Sequence, residues 1–389
     1  MSNALLSIVI PTKNRYENLK ILLKSILEFS NSDLEIIIQD NSDNNEEFIK
    51  EYNSLGKYNI KYFYDRKWKS VVDNCNDGII NSSGEYITLI GDDDAFTPQI
   101  LDIVRLMKKY DLKSCSCEYS LFRWDKARGQ GQYAFEYYNQ NYVIKTIDID
   151  KSIKRLMNGG IQNRSNMPGV YHGIVARDIL DKVYIKAGSF FPGPSPDMAN
   201  SFGVSTFLEK HIVVSAPFIV DGYSKASTGH LTEKKKHIGA LKDQAFLPKD
   251  TIDTWDEKIP DIWLPNTIWP DSAINAIKKC GKTDWLKYMN YSALYIKIQK
   301  IYPECKDLCK QYVRSEKKTK YIASYFQVAI RYIINKVKHA IKKRKAILSN
   351  DVETLEDAIK ASEKIIYENN ICELIDNKLN KLYLKKREK

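Results

Sequence analysis

Long apolar runs are missing from this 389-residue chain. No stretch reaches the ~20 apolar residues that a membrane-spanning helix needs. The run from Leu5 to Ile10 is too short for the apolar region of a secretory signal and reads instead as a strand. Cysteine is scarce and unordered. There are seven, an odd number, without a repeated C-x-x-C; Cys115 and Cys117 alternate along an expected strand, and Cys305 and Cys309 sit one helical turn apart. That argues against both a disulfide framework and a zinc site, and for reduced thiols in a cytoplasm. No G-x-G-x-x-G follows the first strand and no G-x-x-x-x-G-K-[ST] occurs, so dinucleotide enzymes and P-loop NTPases lose their main support. Internal repeats are absent too. The expectation is a cytoplasmic chain that can lie on a membrane surface without crossing it.

The composition is that of a folded protein, with 43% hydrophobic and 28% charged residues. Lys+Arg total 60 against 49 Asp+Glu, a formal net charge of +11. Such a surplus suits a polyanionic partner, an anionic membrane or nucleic acid, and it is equally what an AT-rich coding sequence produces. The length exceeds what one core usually organises, so a main domain and a second region are expected.

Strand and helix signals alternate through the first hundred residues. Apolar, β-branched runs at Leu6–Ile10, Leu34–Gln39, Asn59–Tyr64 and Glu85–Ile90 predict strands. Between them, Arg15–Phe29, Glu46–Asn53 and Lys69–Asn81 carry helical spacing. Fully apolar strands in β-α-β-α order argue for an α/β fold with a mixed, mostly parallel sheet covered on both faces. Further strands are expected at Ser114–Phe122, His172–Ala176 and Ile212–Val220, with a Gly/Pro/Ser loop at Gly188–Asp197 and a helix at Met198–Lys210. The texture changes near residue 235. The reading is a main domain over 1–235, with halves of about 1–110 and 111–235, then a mainly helical region over 236–389.

Ligands of open α/β sheets bind beyond the carboxyl ends of the strands, and the polar residues of interest fall there. Asp92-Asp93-Asp94 closes the fourth strand. Adjacent like charges raise one another's pKa unless a cation compensates them, and a hard divalent ion with a diphosphate is one solution; a solvated acidic turn is the other. Asp40 follows the second strand, where a carboxylate can accept from a base or ribose hydroxyl, or form an Asx-turn. Pro11-Thr12-Lys13-Asn14-Arg15 offers backbone amides, a hydroxyl and two cations at a helix start, suited to phosphate or nucleotide.

These segments resemble the opening blocks of family 2 glycosyltransferases, which have the GT-A fold. The matching pieces are Leu6-Ser-Ile-Val-Ile-Pro-Thr-Lys-Asn-Arg15, Leu34-Glu-Ile-Ile-Ile-Gln-Asp-Asn-Ser-Asp43, and Asn76-x-Gly78-Ile79-x-x-Ser82-x-Gly84-Glu85-Tyr86-Ile87 running into Gly91-Asp-Asp-Asp94. In this order and spacing they cover roughly residues 5 to 102. The resemblance implies that Pro11, Thr12, Asn14, Arg15, Asp40, Asn76 and Asp92 bind the nucleotide. It also implies that Asp93 and Asp94 hold Mn²⁺ or Mg²⁺ on the donor diphosphate. His230, in the polar loop after the last expected strand, is a further metal candidate. Many members read Asp-x-Asp-Asp at the acidic block; registering on Pro98 puts Gly91 at the first of those positions. The resemblance further implies inversion at the anomeric carbon by direct displacement, with a carboxylate as general base. Asp197, ahead of a helical stretch, fits that position, with Glu209 and Asp221 as weaker candidates and His172 read as packed.

The expected activity is therefore that of a glycosyltransferase of the hexosyltransferase class building bacterial capsule or O-antigen polysaccharide. Its partners would be a nucleotide-sugar donor, a UDP-sugar first, and a glycan or lipid-linked acceptor. Nucleic acid is not an expected partner. Over Tyr321–Ile347, Ile322, Phe326, Ile330, Ile333, Val337 and Ile341 keep to one helical face beside many Lys and Arg. Such a helix can lie on an anionic membrane at the inner face of the plasma membrane, mediate self-association, or simply dock on its own domain. Two other readings remain at this stage. A nucleotidyltransferase would want an early glycine-rich basic loop, which Pro11–Arg15 lacks; a non-catalytic membrane- or nucleic-acid-binding protein would rely on the basic C-terminus.

Overall fold

A computed structural model of the chain describes residues 4–29, 31–54, 59–124, 133–138, 144–224 and 238–383. The first four strands are β1 (Leu6–Thr12), β2 (Leu34–Asp40), β3 (Ile60–Tyr64) and β4 (Tyr86–Leu89). Successive side chains of a strand point to opposite faces. Leu6, Ile8, Ile10, Leu34, Ile36, Ile38 and Tyr86 thus join one core, and Val9, Ile37, Ile87 and Leu89 another. Each such side chain, once buried, contributes about 1.5–3 kcal/mol, and both faces have to be covered.

Helices α1 (Tyr16–Ile26) and α2 (Glu46–Ser54) cover the first face through Leu19, Leu22, Leu23, Ile26 and Phe48. Helix α3 (Val71–Ile80) covers the second through Val72, Cys75 and Ile79. Its start is defined by a reciprocal cap in which Ser70 Oγ accepts from Asp73 N at 3.1 Å and Ser70 N donates to the Asp73 carboxylate at 3.3 Å. A Cβ at Gly78 would come within 2.5 Å of Val9 Cγ1, so glycine lets α3 cross directly over β1.

Strands β3, β2, β1 and β4 pair in parallel, in that order. The sheet continues with β5 (Ala95–Phe96), β6 (Ser114–Arg123), β7 (Phe135–Tyr137), β8 (Ile144–Asp148), β9 (Gly173–Ala176) and β10 (Lys210–Tyr223), helix α4 (Ile100–Lys109) packing its Ile100, Val104 and Met107 on the first face. Here β9 runs antiparallel to β4 and β6, β7 antiparallel to β6, and β5 and β8 antiparallel to β10, while β6 and β10 are parallel. The result is an eleven-stranded mixed sheet flanked by helices, with its continuous parallel ladder in β3-β2-β1-β4. Helices α5 (Ile149–Met157), α6 (Arg177–Ala187) and α7 (Pro196–Ser205) complete this part. Helix α7 is shorter than the Met198–Lys210 periodicity suggests, because Lys210 already opens β10.

The chain after residue 235 splits between two cores. Helices Pro265–Lys279, Tyr291–Ile301 and Lys306–Arg314 pack Ile274, Leu294, Ile298 and Cys309 against Ile153 and Met157 of α5 and Phe202 of α7. The tail goes elsewhere. A strand at Ile347–Ser349 pairs antiparallel with β7, Ile347 opposite Tyr137. Helices Leu355–Glu368 and Ile371–Tyr383 place Leu355, Ile359, Ile366, Ile375 and Leu379 in the same core as Leu6 and Ile8. The tail's apolar stripe needs a partner, and the first sheet face supplies it.

Candidate active site

Three strand ends converge on one edge of the sheet. The β1–β2 register sets Thr12 opposite Asp40, and Ile90 N donates to Val9 O at 3.1 Å just beyond β4. A tight turn follows, with Asp94 N donating to Gly91 O at 3.2 Å and Gly91 N to Asp94 Oδ2 at 2.7 Å. This turn aims the three carboxylates back over β1, where Thr12 Oγ1 donates to Asp92 Oδ2 at 2.7 Å. All three are buried, at 2%, 5% and 1% exposure for Asp92, Asp93 and Asp94.

The end of β10 closes the cluster from the other side. Gly222 N donates to Asp94 Oδ1 at 2.9 Å, Ser224 Oγ to Asp93 Oδ2 at 2.6 Å, and Trp124 Nε1 to Asp93 O at 2.7 Å. A Cβ at Gly222 would fall 1.6 Å from the Asp93 carbonyl oxygen, so no side chain fits there. Arg15 spans the cluster, its Nη1 3.0 Å from Asp92 Oδ1 and its Nη2 2.6 Å from Asp93 Oδ2 and 2.9 Å from Ser224 Oγ. His172 Nε2 lies 2.7 Å from Asp94 Oδ2, its ring stacked on Tyr171 at 4.0 Å.

The four carboxylates of this pocket are held in different protonation regimes. Burial raises the Asp92 pKa to about 7, with Arg15 working against it. Burial and the like charge of Asp94 raise Asp93. Burial pushes Asp221 up to about 6, opposed by His172. Asp94 goes the other way: burial would raise it, but His172 and the N–H groups of Gly222 and Gly91 outweigh that and lower it. Burial opposes the charge on His172, and the Asp94 carboxylate overcomes it, leaving His172 above its ordinary value. This is the arrangement of a site that concentrates negative charge and calls for a cation.

The donor set fits a divalent metal. Asp94, His172 and Asp221 each offer a ligand atom within 4.8 Å of the others. Asp92 is committed differently, its Oδ1 ion-paired with Arg15 Nη1 at 3.0 Å. Carboxylate oxygens suit Mn²⁺ and Mg²⁺, and the imidazole nitrogen favours the softer Mn²⁺.

Asp40 is fully buried, with its acceptors used internally. Tyr16 and Tyr62 hydroxyls each donate to Oδ2 at 2.6 Å, and Ser42 N donates to Oδ1 at 2.8 Å. Asn14, at φ 57°, bonds through its side chain to Asp43, joining the loops after β1 and β2. Pro11 lies within β1 opposite Gln39. Asn76 is turned to the loop before α7, accepting from Phe190 N at 2.8 Å and donating to Ser189 Oγ at 2.9 Å. Its neighbour Asn74 is the one that faces the strand ends, toward Thr12 O and Gln39 O at 3.4 and 3.3 Å, and its Oδ1 is buried without a partner.

Asp197 sits in the first turn of α7, after Pro196, and accepts from Ser195 Oγ at 2.5 Å. The loop carrying it is tied to helix Pro265–Lys279, Ser195 N donating to Ser272 Oγ at 2.8 Å. Burial raises the Tyr171 hydroxyl, and the charges of Asp94, Asp221, Asp93 and Asp197 add to it. Glu209 precedes β10, away from these groups, its carbonyl accepting from Ile149 N at 3.0 Å. His230 lies outside the described residues. The groups unforeseen in the sequence are His172 as the partner of Asp94, and Trp124, Gly222 and Ser224 as supports of Asp93 and Asp94. Tyr171 and Gly173 beside His172 were the available signal: an aromatic and a glycine flanking a histidine at the edge of a strand.

Residues 7–165 match the model of glycosyl transferase family 2. This match takes in Thr12, Asp40 and the acidic turn Asp92–Asp94. A segment of the chain is 36% identical over 91 residues to a GalNAc(5)-diNAcBac-PP-undecaprenol beta-1,3-glucosyltransferase of Campylobacter jejuni, covering 23% of this chain and 29% of that protein. It is 34% identical over 103 residues to WcaA of Escherichia coli, a putative colanic acid biosynthesis glycosyl transferase, covering 26% of this chain and 37% of that one. The chain thus matches less than two fifths of either relative's length. Among solved structures, Staphylococcus aureus TarS 1-349 with UDP-GlcNAc superposes with a TM-score of 0.46 at 13% identity, over 85% of this chain and 92% of that one. The mannosyltransferase PcManGT of Pyrobaculum calidifontis with GDP-Man and Mn²⁺ gives 0.40 at 12% identity, over 86% and 89%.

Proposed function

We propose that this chain is an inverting glycosyltransferase that moves a sugar from a nucleoside diphosphate donor, a UDP-sugar first, to a hydroxyl of a glycan or lipid-linked acceptor. The product would be a bacterial surface polysaccharide. One observation carries the reading: three consecutive buried carboxylates at the strand ends, the first of them bonded to Thr12, which is itself in register with Asp40. The family 2 match over residues 7–165 and the relatives' names support it.

In this reading, Pro11, Thr12, Asn14, Arg15 and Asp40 bound the nucleoside side, and Arg15 exchanges its pairing with Asp92 and Asp93 for the donor's phosphates. Asp94, Asp221 and His172, with Asp93 beside them, would hold Mn²⁺ or Mg²⁺. Such an ion, when bound, neutralises the departing diphosphate. Asp197 takes the proton of the acceptor hydroxyl as its oxygen bonds to the anomeric carbon. The bond from that carbon to the diphosphate oxygen breaks in the same step, and the nucleoside diphosphate leaves with the electron pair. A lipid-linked acceptor sets the reaction at the inner face of the membrane. No helix among the described residues is long and apolar enough to cross it.

The test is release of nucleoside diphosphate across a donor panel with Mn²⁺, Mg²⁺ or chelator, and donor binding by calorimetry on the same samples. One donor should turn over only with metal, and Asp93→Ala/Asp94→Ala should lose at least ~10³-fold of that rate. Absence of binding to any nucleotide sugar, with or without metal, would sink the proposal.

A further inference from the structure

Helix Lys318–Arg344 is folded with its apolar face outward. Ile322, Phe326, Ile330, Ile333, Val337 and Ile341 are 48%, 62%, 57%, 62%, 55% and 55% exposed, and Tyr325, Tyr332 and Ile334 are also open. Steps of three and four residues put the first six on one stripe. The helix rests on its opposite, narrower side. Val328 packs with Ala293 and Ile296, Ser324 Oγ donates to Asn290 Oδ1 at 3.3 Å, and Gln327 Nε2 to Asn158 O at 3.1 Å. From Tyr332 to Ile341 every residue is exposed. A docked surface helix buries its apolar stripe; this one uses a mostly polar side for docking and leaves a stripe about 29 Å long uncovered. Monomeric proteins rarely expose so large a contiguous apolar patch without a partner for it.

Charge selects the partner. No Asp or Glu occurs between Lys317 and Asn350. Lys336 and Lys343, seven residues apart, follow the border of the stripe, and Arg344 stands seven residues after Val337, at its end. A second copy would bring the same cations against these. Nucleic acid would answer the charge and leave the isoleucines in water. A surface that is anionic outside and apolar beneath satisfies both, with long basic side chains reaching up to its headgroups. We propose that helix Lys318–Arg344 is an in-plane membrane anchor that inserts its Phe326–Ile341 stripe into an anionic bilayer. This names the surface behind the location given above and does not depend on the glycosyl-transfer chemistry.

The full-length chain would be floated with vesicles of phosphatidylglycerol and phosphatidylcholine, or of phosphatidylcholine alone. Expected is at least tenfold stronger partition to the anionic vesicles, weakened by 0.5 M salt. Phe326→Ser/Ile333→Ser/Val337→Ser and, separately, Lys336→Glu/Lys343→Glu/Arg344→Glu should each lose at least tenfold. Both variants should keep the wild-type melting curve and the hydrolysis of a soluble donor, which separates loss of anchoring from failure of the enzyme reading. Wild-type protein that does not float, or that floats equally with neutral vesicles, overturns the proposal. So does an apolar variant that binds undiminished, or one whose main effect in sedimentation velocity is to dissolve a dimer.

Discussion

The acidic pocket and the long helix invert the same rule in opposite senses. In the pocket, Asp92, Asp93 and Asp94 are charges held inside, where desolvation is costly. Along helix Lys318–Arg344, isoleucines and a phenylalanine are held outside, where they gain nothing. Each departure has local support: the pocket has Arg15, His172 and the N–H groups of Gly91 and Gly222, and the helix has a docked opposite side. Neither is explained by folding alone, since a chain optimised for stability would exchange the two residue types. Stability is surrendered where a site must bind something.

The largest effect expected on the pocket side comes from Asp197→Asn. Its removal should lower kcat by roughly 10²–10⁴-fold, the usual worth of a general base, with donor affinity by calorimetry unchanged within about twofold. A rate within threefold of wild type would move the base elsewhere. Next comes Gly222→Ala. The added methyl would meet the Asp93 carbonyl oxygen at 1.6 Å, a backbone atom that cannot swing aside. A loss of about 3 kcal/mol and of donor binding should appear together in thermal melts and calorimetry. Retained donor affinity would show that Asp93 and Asp94 do not need the β10 end to be positioned.

Asp271 tests whether burial of an acid by itself marks a binding site. It is buried in helix Pro265–Lys279, accepts from Asp256 N at 2.9 Å and Asn275 Nδ2 at 3.0 Å, and has no cation in direct contact. Burial raises its pKa to about 7. The folded state therefore binds this proton more tightly than the unfolded state, whose aspartate titrates near pH ~4. The stability this contributes is fully present below the unfolded pKa and is lost as pH rises through 7. Asp271→Asn, which imitates the protonated acid, should be more stable than wild type by about 4 kcal/mol at pH 8, with the gap closing toward pH 4. An equal melting difference at both values would contradict the linkage. Turnover should hardly change, which would separate a buried acid of structure from those of the pocket.

Much of the pocket was legible because it is local to strand ends. The apolar runs, their stops at Pro11, Asp40 and Gly91, and helical spacing between them predict the parallel ladder and the shared edge of Thr12, Asp40 and Asp92–Asp94, as observed. What could not be read comes from distant chain. His172 reaches Asp94 because it takes φ 53° next to an isolated bridge between Leu89 and Tyr171, and that conformation has no sequence period. Asp221, Gly222 and Ser224 arrive through β10, more than a hundred residues later. The tail's return to the sheet rests on a three-residue strand, too short for any periodic signal. For the long helix, periodicity revealed the stripe and not its direction, since an apolar face looks the same whether it meets a core or a bilayer.

The smallest effect should be that of Ile333→Ser. At 62% exposure this side chain gives up little burial in the free protein, so stability should change by less than about 0.5 kcal/mol. Ile296, a turn away on the underlying helix Tyr291–Ile301 and 5% exposed, supplies the control. Ile296→Ser should cost about 3 kcal/mol, through lost packing and an unpaired hydroxyl. Thermal melts of the two variants side by side read out which way the long helix faces, without lipid or substrate present. If Ile333→Ser destabilised as much as Ile296→Ser, the stripe would be covered in the free protein and the contrast with the pocket would collapse. If it did not, then any later loss of vesicle binding in that variant belongs to the surface itself, because the fold beneath it has been shown to be indifferent.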